Sequence, residues 1–163
     1  MKNPSEQATN QVEVKVGETF QIKSGEKILF GRNPSDSQYA SGDFRLLALG
    51  PSKGFSEPRE LSRAVVEIKL DEDGTPNVIS RTTSNDVWLS TLKSTTKIPN
   101  GLVVLKKDEP LREDIKEELG ADFNILIKTN THVVQLTFAG SSGTNPADRV
   151  HSYRVEIDPP SAK

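Results

Sequence analysis

At 163 residues the chain has the length of one domain, and 21 basic against 23 acidic residues leave a net charge of −2, too little for a global field that draws nucleic acid or acidic membranes. The absence of cysteine excludes disulfides, thiolate metal sites and cysteine nucleophiles together and fits a reducing compartment. A hydrophobic fraction of 33% allows a packed core but implies long polar loops around it.

In chain order, residues 1–10 are polar and aperiodic and read as a flexible tail, as do 159–163; one domain is expected over 11–158. The opening MKNPSEQATN has no apolar stretch of the secretory kind, and no run approaches the roughly 18–20 apolar residues of a membrane helix, so a cytoplasmic protein is expected. Val12, Val14 and Val16 alternate with polar neighbours and predict a half-buried strand. Thr19–Ile22, Lys27–Phe30, Phe44–Leu49, Val65–Leu70, Asn77–Arg81, Val87–Leu89 and Leu102–Leu105 continue the series. The turn Asp71–Pro76 reads as a hairpin connection.

One segment departs from the strand pattern. Leu111, Ile115 and Leu119 recur every four residues, behind Pro110 and ahead of Gly120, which predicts one short helix over about 110–119. Its acidic face reads as solvated. The series then resumes with Asn124–Lys128, His132–Phe138 and Tyr153–Ile157. The expected architecture is all-β, a two-sheet sandwich with one helical insertion. The region after Asp108 is expected either to be an insertion in the last hairpin or to add an edge element that pairs with another chain.

Signals for catalysis are sparse, and no enzyme activity, metal or cofactor is expected. The two histidines, His132 at a strand edge and His151 in a loop, read as surface or partly packed residues and are too few for a zinc site. The loops at Gly50–Gly54 and Gly140–Gly143 lack the spacing of a phosphate-cradling loop, so turn chemistry accounts for them. Asp71 and Asp73 begin like a calcium loop, but Pro76 and Thr82 stand where later ligands belong. Trp88 reads as a core residue.

A different constellation falls at strand ends. Gly31–Arg32 exits a strand within FGRNP, Ser62–Arg63 precedes one within LSRAVVEI, and Ser84–Asn85 occupies a tight turn within TTSNDVWL. In order and spacing these motifs resemble the forkhead-associated (FHA) family, from about Thr19 to Leu105, with IPNGLVVLKKDE similar to a later Gly-containing turn and strand.

The resemblance implies a two-sheet β-sandwich whose loops at one end bind a threonine-phosphorylated protein or peptide. Carried over, it makes Arg32, Ser62 and Arg63 phosphate-binding residues, and Ser84 and Asn85 peptide-binding ones. The residue types suit the task. A phosphothreonine carries about −1.5 to −2 charges and three acceptor oxygens, and guanidinium groups meet such oxygens with a planar fork. Charged hydrogen bonds contribute about 1.5–3 kcal/mol each, so a few supply much of the ~8 kcal/mol of micromolar binding. Two positions depart from the family: Val65 replaces a histidine that braces the loops, and Asp86 replaces the glycine after the asparagine, bringing a negative charge near the proposed phosphate. They motivate a second expectation, an FHA-like interaction domain that has lost phosphate dependence. The loops Asn33–Gly42 and Gly50–Glu60 would flank the site, with Lys53, Phe55 and Arg59 in the second.

Overall fold

A computed structural model describes residues 11–39, 44–50, 61–72, 74–92, 95, 97–98, 101–120, 122–129 and 132–158. The terminal tails and the Gly50–Glu60 loop beyond its first residue, with Lys53, Phe55 and Arg59, lie outside the described residues, as does Asp73. Among the described residues, eleven strands form two sheets: β1 (Gln11–Val14), β2 (Thr19–Lys23), β3 (Lys27–Gly31), β4 (Arg45–Leu49), β5 (Val66–Leu70), β6 (Pro76–Ser80), β7 (Asp86–Thr91), β8 (Leu102–Leu105), β9 (Phe123–Lys128), β10 (Val133–Ser142) and β11 (Val150–Asp158). The five-stranded sheet has the order β1-β4-β3-β5-β6, and the six-stranded sheet β2-β11-β10-β9-β7-β8. The expected all-β sandwich is the fold.

Alternation explains the core. Inward positions of the two sheets meet as one cluster that includes Ile28, Phe30, Val66, Ile68, Val87, Leu89, Ile125, Ile127, Leu136 and Val155, each almost fully buried. Burying a side chain such as Phe30 contributes about 1.5–3 kcal/mol. A smaller cluster of Leu29, Leu46 and Ala64 lies on the far face of the five-stranded sheet, covered by Tyr39 and Phe44. The long segment after Arg32 therefore has a packing role there.

Three expectations are corrected by the same alternation. Trp88 is half-buried, because Val87 and Leu89 take the inward positions of β7 and send it to the outer face. The N-terminal strand ends at Val14; Val14 is buried but Val12 is 60% exposed, since β1 is an edge strand whose first residues overhang the core. His151 lies in β11 rather than a loop and is 1% exposed, because it shares the inward phase of Tyr153 and Val155.

The Gly140–Gly143 stretch is also strand rather than loop through Ser142. Gly140, at φ 124°, sits where the β10–β11 register shifts, a bulge that glycine adopts without strain.

The helix α1 (Glu113–Leu119) starts later than the expected position 110, because the backbone at Arg112 is still extended; of the expected stripe, Ile115, half-buried, and Leu119, buried, lie on it, and Leu111, half-buried, precedes it. Its reason is topological. β8 and β9 both pair antiparallel with β7, so they run parallel to each other and need a long crossover between them. The segment after Asp108 is therefore neither a hairpin insertion nor an edge element: it leads into β9, β10 and β11, which lie inside the six-stranded sheet. No helix among the described residues is long and apolar enough to cross a membrane.

Candidate functional site

Strand exits and entries of both sheets gather at one end of the sandwich. There β3 ends at Gly31, β6 at Ser80 and β9 at Lys128, while β5 and β7 begin at Val66 and Asp86. The loops between them are joined by main-chain bonds. Arg32 N–H donates to Ser62 O at 3.0 Å, Asn33 N–H to Arg63 O at 3.1 Å, Val65 N–H to Phe30 O at 2.8 Å, and Arg81 N–H to Val65 O at 2.7 Å. Val65, fully buried, thus links two loops through its backbone. Gly31 permits the close approach, because a Cβ there would fall on the Arg63 carbonyl.

The residues 81–85 pass from one sheet to the other, since β6 and β7 belong to different sheets. A hydroxyl network shapes this crossing. Ser80 Oγ donates to Thr82 O at 3.1 Å, Ser84 N–H donates to Thr82 Oγ1 at 2.9 Å, and the Ser62 and Thr82 hydroxyls share a short hydrogen bond. Asn85 is only 4% exposed. Its Oδ1 accepts from Ser62 N–H at 2.9 Å and its Nδ2 donates to Lys128 O at 3.3 Å, so one amide ties the Ser62 loop to the opposite sheet.

Over this network lies a cleft of about 450 Å³. Ser62, Arg63, Thr82, Thr83 and Ser84 line it, and Arg81 and Lys107 stand at its side. Of the five residues singled out in the sequence, Ser62, Arg63 and Ser84 face the cleft. Arg32 is half-buried beside Ser62 but outside the lining, with its Nε donating to Leu61 O at 3.0 Å. Asn85 lies behind the lining. Arg32 and Asp86 make no ion pair with each other among the described residues. Asp86 is exposed, opens β7 opposite Lys128 and does not line the cleft; strand alternation puts it on the outer face with Trp88.

Sequence reasoning did not single out Arg81, Lys107 or Tyr39. Arg81 Nη2 meets Glu67 Oε1 and Arg81 Nη1 meets Asp108 Oδ1, both at 2.7 Å, and its guanidinium lies 4.9 Å from the Tyr39 ring centroid. Burial pushes the Arg81 guanidinium down, but its hydrogen bonds to Asp108 and Glu67, with their charges, outweigh that and hold it above its ordinary value. The bond from Arg81, more than the charges of Arg81 and Lys107, holds the Asp108 carboxyl below the usual carboxylate range. Arg81 is thus a neutralised wall of the cleft. These partners lie far apart in sequence, and no local motif announces them.

Among the described residues no group of three metal-ligating side chains could hold an ion. No protein-family model, curated protein or solved structure matches the chain. The fold and cleft define an all-β sandwich with a hydroxyl-floored, basic cleft built from loops at one end.

Proposed function

We propose that the cleft binds a phosphothreonine-containing peptide, making the domain a phosphorylation-dependent protein-interaction module. The observation that supports this reading best is the convergence of Ser62, Thr82 and Ser84 hydroxyls with the Arg63 and Lys107 cations around one open cleft. A phosphoryl group offers three acceptor oxygens and nearly two negative charges, and such donors are its natural complement. Arg32 supplies the strongest addition. Its two terminal nitrogens have no protein partner among the described residues, and its backbone N–H is bonded to the Ser62 carbonyl. Asp86 does not oppose this, since it stands off the cleft lining.

In this reading Asn85 acts first as the brace that holds the Ser62 amide, and contact with the peptide backbone competes with its two internal bonds. The same two bonds, and the Nε of Arg32 anchored on Leu61 O, favour the second reading, an interaction domain of this fold that does not depend on phosphate.

Retention of a degenerate phosphothreonine peptide library, against unphosphorylated and phosphoserine versions, separates the two. The phosphate-dependent reading expects selective retention that Arg32→Ala abolishes while the thermal melt stays nearly unchanged. Equal retention of phosphorylated and unphosphorylated peptides overturns it.

A further inference from the structure

Arg81 stands at the cleft without contributing its charge, because both sides of its guanidinium are engaged. The two engagements differ in kind. On the inner side Glu67 Oε1 accepts from Nη2 at 2.7 Å and from Nε at 3.2 Å, and the Glu67 side chain is 11% exposed. Separating that carboxylate from its cation would leave a nearly buried charge unpaired. On the outer side Nη1 donates to Asp108 Oδ1 at 2.7 Å, and the Asp108 side chain is 46% exposed. Exchanging this second partner only returns a carboxylate to water that it already touches. Glu67 is therefore a fixed anchor and Asp108 a replaceable one.

Asp108 is held in place for its contact. At φ 64° it has the one positive φ outside glycine among the described residues, in the left-handed region that aspartate tolerates better than most side chains. Its N–H donates to Ser80 O at 2.8 Å, and the Tyr39 hydroxyl lies 3.3 Å from Oδ1 and 3.5 Å from Oδ2. The Tyr39 ring in turn faces the Arg81 guanidinium. The end of β6, the residues after β8 and the segment after Arg32 thus meet to set one carboxylate on a guanidinium beside the cleft.

We propose that Asp108 is a built-in competitor for Arg81, displaced when a phosphothreonine enters so that Arg81 joins the phosphate site. The inference rests on the phosphopeptide reading of this cleft. A phosphoryl group brings about −1.5 to −2 charges and three acceptor oxygens against the single charge of a carboxylate, so it takes the outer side of the guanidinium. Glu67 stays bound meanwhile and keeps the guanidinium oriented. Arginine suits this double duty, because its planar fork of N–H donors serves a carboxylate on one side and a phosphate on the other. A lysine ammonium is a compact point charge without that fork. In the absence of ligand the Arg81 charge is neutralised; with ligand bound, Asp108 gives way to solvent.

Anisotropy titration with a fluorescein-labelled pool of degenerate phosphothreonine peptides, and with the unphosphorylated pool beside it, tests the assignment. Asp108→Asn keeps the size of the side chain, and Asp108→Gly suits the positive φ. Each should bind the phosphorylated pool about threefold or more tighter, the scale of one exposed ion pair, with unchanged affinity for the unphosphorylated pool. Glu109→Gln removes the next charge along the chain but not the one on Arg81, and should alter affinity by less than about twofold. In an Arg81→Lys background, which keeps a cation beside Glu67, the gain from Asp108→Asn should vanish, with thermal melts confirming that each variant is folded. No preference for the phosphorylated pool in any of these proteins overturns the phosphopeptide reading, and this inference with it. A phosphate preference without a gain from Asp108→Asn or Asp108→Gly in folded protein overturns the competition alone. So does a gain that Glu109→Gln matches or that survives Arg81→Lys.

Discussion

Two sets of buried polar groups sit in this sandwich, and they are handled in opposite ways. At the cleft end, Glu67, Ser80, Thr82 and Asn85 are all under a tenth exposed, and each has a hydrogen-bond partner. Within the six-stranded sheet, on β11, His151 and Tyr153 are as deeply buried, yet both imidazole nitrogens and the phenol oxygen lack a hydrogen-bond partner among the described residues. They are held by aromatic packing instead: the Phe138 ring centroid lies 5.5 Å from that of His151 and 5.9 Å from that of Tyr153, and Phe20 stacks on Tyr153 at 5.7 Å. The difference teaches where polarity is structural. A satisfied buried network fixes one loop arrangement, whereas an orphaned group only subtracts its desolvation cost from the core around it.

Substitutions at the two sites should separate these roles. The largest loss is expected from Arg81→Ala, which leaves the nearly buried Glu67 carboxylate without its cation. About 2 kcal/mol of stability should disappear in a urea titration, less than for a fully enclosed pair because the Asp108 side faces solvent. Asn85→Ala should cost about 1–2 kcal/mol, since it orphans the Ser62 amide and the Lys128 carbonyl. It should also weaken peptide binding by loosening Ser62, so the comparison breaks if stability falls while the cleft is untouched.

His151 predicts a pH effect of intermediate size. Burial lowers its folded pKa, the Asp122 carboxylate opposes that, and Arg149 adds to it. The unfolded chain therefore takes up a proton first as pH falls, and stability is lost below the ordinary histidine pKa of ~6.5. The loss approaches about 1.4 kcal/mol per pH unit until the folded pKa is reached, and no contribution remains above neutrality. His151→Phe should remove this slope when melts at pH 5 and pH 8 are compared with those of the unaltered chain. An unchanged slope would show that His151 reaches water. Tyr153→Phe is the smallest case: burial holds the phenol well above its ordinary pKa, and deleting an unpartnered hydroxyl should leave stability unchanged or raise it by up to about 1 kcal/mol.

Much of this molecule was readable because strands and a single helix announce themselves locally. Alternation placed the predicted strands within a few residues of their observed bounds, and the four-residue spacing of Leu111, Ile115 and Leu119 marked α1. The errors share a cause. Trp88 was read by residue type, Val12 by local alternation and His151 as a loop residue, but the phase of a strand and its place in the sheet decide exposure, and phase depends on which neighbours win the inward positions. The cleft was legible in Ser62, Arg63 and Ser84 because they sit at strand ends. Arg81, Lys107 and Tyr39 escaped notice because their meeting depends on a sheet-to-sheet crossing and on a covering segment.

By itself, then, the chain determined a cysteine-free, near-neutral, all-β domain with one short helix, since these follow from composition and from periods of two and about four residues. Tertiary structure alone decided that Asp86 stands off the cleft and that Arg81 is neutralised by Glu67 and Asp108. Those outcomes depend on pairing between residues distant in sequence. Local propensity carries no information about them until the two sheets are stacked.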